Sequence, residues 1–89
     1  MNTYLKDCVI NYILKNNDRY SEEGFIIWLH EDYLRIKYNH KVYTVTVVEE
    51  NEKLYWKLKP YNKSYYMTEI KEYSSFEAVI YAIKDNDKI

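Results

Sequence analysis

Apolar and polar residues alternate with a period of two from Phe25 to Lys71, whereas the segments on either side repeat every three or four residues. The first pattern is that of strands with one buried face, the second that of amphipathic helices. In the N-terminal segment Leu5, Cys8, Val9, Tyr12 and Ile13 share one side of a helical wheel, with Lys6, Asp7, Asn11 and Lys15 elsewhere. A helix is predicted over 3–16 with Thr3 as its N-cap. The polar run from Asn16 to Gly24, which holds the only glycine, reads as a connecting loop.

Turn signals near Glu31-Asp32, Asn39-His40, Glu50-Asn51 and Tyr61-Asn62 divide the chain beyond Gly24 into five strands. They are expected at 25–30, 33–38, 41–49, 53–59 and 65–71. Two-residue loops at the first two turns set Leu29 against Leu34, Ile27 against Ile36 and Phe25 against Tyr38, then Ile36 against Tyr43 and Leu34 against Val45. The same register carried through the looser third turn sets Val47 against Leu54, Val45 against Trp56 and Tyr43 against Leu58. These residues form one continuous core face. Ser74 and Glu77 have capping-box spacing, and Phe76, Val79, Ile80 and Ile83 share a face behind them, so a closing helix is predicted over 75–85. The fold class is α+β: a single two-layer domain over 1–89 in which an antiparallel five-strand meander lies between two helices in the chain.

The other sheet face changes the picture. In this register it carries Ile26, Trp28, His30, Tyr33, Arg35, Lys37, Val42, Thr44, Thr46, Tyr55, Lys57, Lys59, Tyr65 and Met67. A sheet face turned to water is ordinarily polar, and this one mixes aromatics, aliphatics and cations with few carboxylates. Three readings compete for it. The first helix crosses over it, or the sheet curls enough, to bury Ile26 and Trp28 within the monomer. Alternatively it docks a protein, since Trp, Tyr, Met and Arg are enriched in interface cores. Or it binds nucleic acid, with Arg35, Lys37, Lys57 and Lys59 on phosphates and Tyr33, Tyr55 or Tyr65 stacked on unpaired bases. A homodimer sealed through the face is a further form of the second reading. The candidate partner-binding residues are therefore Trp28, Tyr33, Arg35, Lys37, Tyr55, Lys57, Lys59, Tyr65 and Met67.

Composition narrows the classes without choosing among these. A chain of 89 residues, 47% apolar, 30% charged and 18% aromatic, is a globular domain and not a tail. Thirteen basic side chains nearly cancel fourteen acidic ones, which excludes a strongly basic protein and an acidic mimic of DNA. The acids gather at Glu22-Glu23, Glu31-Asp32 and Glu49 to Glu52, expected to be solvated turns. One cysteine excludes an internal disulfide. Cys8 on the apolar side of the first helix is expected to be a small buried hydrophobe. With an acidic Asp7 and no long apolar run near the N-terminus, the expected compartment is the cytoplasm, without membrane insertion.

Catalytic constellations are missing from the pattern. His30 and His40 stand at turns without a third ligand at metal spacing, and one glycine cannot build a phosphate-cradling loop. The expectation is no enzyme, no metal and no cofactor.

The order helix, antiparallel strands, helix resembles a double-stranded-RNA-binding domain in outline. Those domains open their second helix with a lysine cluster, and here the position reads Ser74-Ser75-Phe76-Glu77-Ala78, so membership is rejected. Abundant Lys, Asn, Ile and Tyr with one Gly and one Pro indicate AT-rich coding. Together with the small size and the outline, this resembles virus- and phage-encoded accessory proteins of the anti-CRISPR kind. The resemblance carries no motif and transfers no residue. It implies a viral inhibitor that occupies a host protein surface stoichiometrically, in a host-virus interaction.

Overall fold

The computed structural model describes residues 4–59 and 70–87. The predicted first helix is α1, Tyr4–Lys15, and its proposed cap Thr3 lies outside the described residues. Its buried stripe is rotated from the predicted one. Ile10 and Ile13 are buried and Val9 and Leu14 half-buried, whereas Leu5, Cys8 and Tyr12 are exposed. Apolar residues run almost all round this helix, so the wheel alone does not select the face that packs. Cys8 is thereby corrected from a core residue to a surface one.

The segment expected to be a loop contains a short helix, α2, Asn17–Ser21. Asn16 divides it from α1: its N–H closes α1 on the carbonyls of Tyr12 and Ile13, and its own carbonyl accepts from Arg19. Tyr20 is buried, an apolar anchor that a polar composition conceals. Behind α2 the chain turns at Gly24, whose φ of +96° suits glycine far better than any residue with a Cβ. The turn delivers Phe25 to the core, where it stacks on Tyr38 at 4.3 Å between ring centroids.

Four strands come next: β1 Ile26–His30, β2 Tyr33–Tyr38, β3 Lys41–Glu50 and β4 Lys53–Lys59. A fifth, β5, spans Lys71–Tyr73. They form one antiparallel sheet in the order β1-β2-β3-β4-β5. The first two hairpins have the predicted register, with Leu29 opposite Leu34, Ile36 opposite Tyr43 and Leu34 opposite Val45. The third differs by two residues: Val47 faces Trp56 and Val45 faces Leu58. Its turn is the two-residue Asn51–Glu52 pair, both with positive φ, and not the longer loop expected. A slip of two preserves the alternation, so every β4 residue keeps its assigned face despite the wrong pairing. The strand expected at 65–71 is observed only as β5, and residues 65–69 lie outside the described ones.

The last helix, α3, spans Phe76–Asp87. Its cap is Ser75 and not Ser74: Ser75 Oγ accepts from the Ala78 N–H at 3.2 Å. Ile10 and Ile13 of α1, Tyr20 of α2 and Phe76, Val79, Ile80 and Ile83 of α3 join Ile27, Leu34, Ile36, Tyr43, Val45, Val47, Trp56 and Leu58 in one cluster. All three helices therefore pack on the same sheet face. Leu29, assigned to that face, lies near its corner on the edge strand and remains 46% exposed.

Candidate functional site, the outer face of the sheet

With every described helix on the inner face, the crossing-over that would bury Ile26 and Trp28 does not occur. Ile26 is 56% exposed, while Trp28, Tyr33, Arg35 and Tyr55 are half-buried and Lys37, Lys57 and Lys59 exposed. Tyr65 and Met67, the remaining candidates, lie outside the described residues.

Strand register arranges these side chains in rows. One row runs Trp28, Arg35, Thr44, Lys59 across β1 to β4. The row on one side holds Ile26, Lys37 and Val42, and that on the other holds Thr46, Lys57 and Glu72. Tyr55 sits opposite Val48 beyond them. Residues two apart on a strand lie about 7 Å apart, and alternate strands about 10 Å. Lys37, Arg35, Lys59 and Lys57 thus form a diagonal cationic strip, with Thr44 and Thr46 in its middle and the apolar pair Ile26 and Trp28 along the β1 side.

Local contacts fix part of this surface. The Arg35 guanidinium lies over the Tyr33 ring at 5.9 Å from its centroid, and His30 tilts against the same ring at 5.2 Å. Arg35 Nε is buried without a hydrogen-bond partner among the described residues. The two ion pairs found among the described residues, Arg19 with Glu77 and Lys84 with Glu23, involve none of the four cations of the strip.

Three features of the inner side were not anticipated. A groove of about 640 Å³ opens between α1 and the start of α3, lined among others by Val9, Tyr12, Leu54, Trp56 and Phe76. Beside it the Tyr20 hydroxyl donates to Glu77 Oε1 at 3.0 Å, and Arg19 Nη2 reaches the same oxygen at 3.4 Å. Burial, followed by the bond to Glu77, pushes the Tyr20 phenol up to about 12. Glu77 thus ties α2 to α3, in place of the capping role its spacing suggested. Glu49, expected in a solvated loop, belongs to β3 and accepts from the Lys6 N–H at 3.3 Å, placing a carboxylate at the positive end of α1.

Among the described residues no three His, Cys, Asp or Glu side chains gather closely enough to hold a metal ion, and no helix is long and apolar enough to cross a membrane. His30 stands on the outer face and Cys8 on the outside of α1, on opposite layers of the molecule. What the outer face offers is apolar area, shape and positive charge. Comparison with protein-family models, with curated proteins and with solved structures finds no match to this chain, so the assignment of a role rests on these residues.

Proposed function

We propose that this chain is a non-enzymatic protein-binding module that docks its partner on the outer sheet face. The observation that carries the reading is the one-sided placement of the helices, which leaves Ile26, Trp28, Arg35 and Tyr55 on a face that no described helix covers. Large aromatic and Arg side chains at the centre of such a patch are the groups that contribute most to protein interfaces. Their half-buried setting favours docking, because a side chain already held by its neighbours loses little freedom when a partner closes over it.

Two alternatives fit the geometry less well. Base stacking needs open ring faces, and the Tyr33 ring is engaged by Arg35 and His30. A formal net charge of −1 also supplies little long-range attraction for a polyanion. A homodimer through this face sets each cationic strip against its copy in an isologous contact, and like charges juxtaposed in an interface are unfavourable. The role proposed for the docking is the one that resemblance to the anti-CRISPR proteins implies: stoichiometric occlusion of a host defence or nucleic-acid enzyme. Such occlusion needs neither cofactor nor catalytic group.

The test is affinity capture from nuclease-treated host lysate with wild-type, Trp28→Ala, Tyr55→Ala and Tyr12→Ala proteins, each checked for folding by thermal melting. Loss of a buried anchor on the order of 2 kcal/mol weakens binding about 30-fold, so the partner should leave the first two variants and stay with the third. A partner that stays with both outer-face variants, or that nuclease removes, overturns the reading.

A further inference from the structure

We infer that the occupant of the outer face is an acidic protein segment that sets carboxylates along Lys37, Arg35, Lys59 and Lys57 and a large apolar side chain against Ile26 and Trp28; this rests on the proposed docking role. The chain is nearly neutral as a whole, yet its charge is segregated. Four cations stand in the strip, and Glu72, opposite Lys57 on β5, is the carboxylate that the described residues place within its rows. None of the four takes part in an ion pair among the described residues. The other acids gather at Glu22-Glu23, Glu31-Asp32 and Glu49 to Glu52, of which Glu50 lies on the outer face at the end of β3, opposite Lys53 and beyond the rows of the strip.

Arg35 is the most informative of the four. Tyr33 holds its guanidinium in place, the residue is half-buried, and its Nε finds no acceptor among the described residues. A guanidinium partly withdrawn from water and without a counter-charge among the described residues is poised for a carboxylate, which accepts two parallel N–H bonds from it in a charge-assisted pair. Because the side chain is already oriented, little of that interaction is lost to ordering. The apolar component comes from position: Trp28 is directly opposite Arg35, and Ile26 directly opposite Lys37. A segment crossing from β1 to β4 therefore meets apolar surface first and positive charge next. The matching ligand is a chain with one large apolar residue beside several carboxylates, rather than a uniform polyanion.

The experiment measures fluorescence anisotropy of a labelled glutamate-rich peptide with two central leucines, about twelve residues long so that it spans the strip. Three comparison probes are used: the same peptide with Gln for Glu, the same with Ala for Leu, and an oligothymidylate of equal length. At physiological salt the parent peptide should bind at least about tenfold more tightly than either altered peptide, as expected when charge and apolar contact both contribute. The Lys57→Gln/Lys59→Gln double variant changes only exposed side chains, and Arg35→Gln removes the oriented cation. Each should weaken peptide binding about tenfold or more. Equal binding of the Gln peptide, unchanged affinity in the lysine variant, or absence of measurable peptide binding overturns the inference. Tighter binding of the oligothymidylate than of the peptide also overturns it, in favour of nucleic acid. The outcome separates from that of the docking proposal through the captured partner. A partner lost by Trp28→Ala but kept by the double lysine variant leaves the docking module standing and removes the acidic occupant, whereas a partner kept by both removes the two together.

Discussion

Tyr43→Phe should make this protein more stable, against the usual direction for removing a hydroxyl. Tyr43 is 1% exposed in the middle of β3, and its phenol oxygen is buried without a hydrogen-bond partner among the described residues. Keeping a desolvated hydroxyl unpaired costs about 1–3 kcal/mol on the scale of protein mutations. Deleting the oxygen leaves a gap of about one atom, and at roughly 24 cal/mol per Å³ that gap returns a few tenths of a kcal/mol. The net gain is about 1–2 kcal/mol, which for a domain of this size raises Tm by about 5–10 °C. Urea unfolding should show a higher midpoint with an unchanged slope. Tyr20→Phe is the internal control, since the same chemical change removes a hydroxyl that donates to Glu77. Because Glu77 is largely exposed, that bond contributes only about 1 kcal/mol, and its loss should lower the midpoint. If both variants lose stability, Tyr43 has a polar partner in solution and the reasoning fails.

Ser75→Ala should cost about 1 kcal/mol through loss of the α3 cap, and Ser74→Ala close to nothing; equal losses in urea unfolding would refute the assignment of Ser75 as the cap. Glu52→Gly should stabilise by about 0.5–1 kcal/mol, because Glu52 holds a φ of +63° in a two-residue turn where Asn-Gly is preferred, and a lower unfolding midpoint would contradict the turn geometry. Burial and the bond to Glu77 push the Tyr20 phenol up to about 12 from its ordinary 10.0, so the fold favours its neutral form. That contribution, on the order of 1–2 kcal/mol, is complete below pH 10 and lost as pH rises towards 12. The stability of Tyr20→Phe should therefore fall less steeply over that interval, and parallel pH profiles for variant and wild type would refute the assignment.

The sheet was legible because its signal is redundant. Every inward residue from Ile27 to Leu58 obeys the period of two, and a register error of two residues at Asn51–Glu52 leaves each on its correct face. The error has a physical origin. Glu is an unfavourable residue at positive φ, so Glu52 gives no sign that it occupies a tight turn. The α2 helix is hidden for a related reason. Five residues are too few to show a helical period, and what holds them is one tertiary contact set: Tyr20 in the core, edge-on to Phe76 at 5.3 Å, with its hydroxyl on Glu77. On α1 the difficulty is excess. Leu5, Cys8, Val9, Ile10, Tyr12, Ile13 and Leu14 surround the axis, and only the position of the sheet decides that Ile10 and Ile13 are buried while Tyr12 stays 65% exposed.

The candidate site was legible through parity alone, which assigns a face but not a layout. Alternation puts Trp28, Arg35 and Lys59 on one face whatever the pairing, but only the observed register brings them into a single row with Thr44. With the register the sequence suggested, Tyr43 opposite Leu58, Thr44 would meet Lys57, and Arg35 would share its row with Lys57 in place of Lys59. The strip would then be a compact square beside Trp28 instead of a diagonal reaching across the face. The two arrangements present different outlines to a partner, one a point of charge and the other a track. Because the turn at Asn51–Glu52 selects between them, this hairpin sets the shape of the cationic surface from the far end of the two strands that carry half of it. A residue inserted between Asn51 and Glu52 should therefore alter recognition of an acidic segment even though neither residue lies in the strip. A shift of one residue transfers Lys57 and Lys59 to the core face and should unfold β4, whereas two inserted residues offer the alternative register. The two-residue insertion should retain the fold by circular dichroism while weakening binding of the acidic peptide about as much as Lys57→Gln/Lys59→Gln does. Undiminished binding in that folded variant would show that the total positive charge of the face matters and its diagonal layout does not.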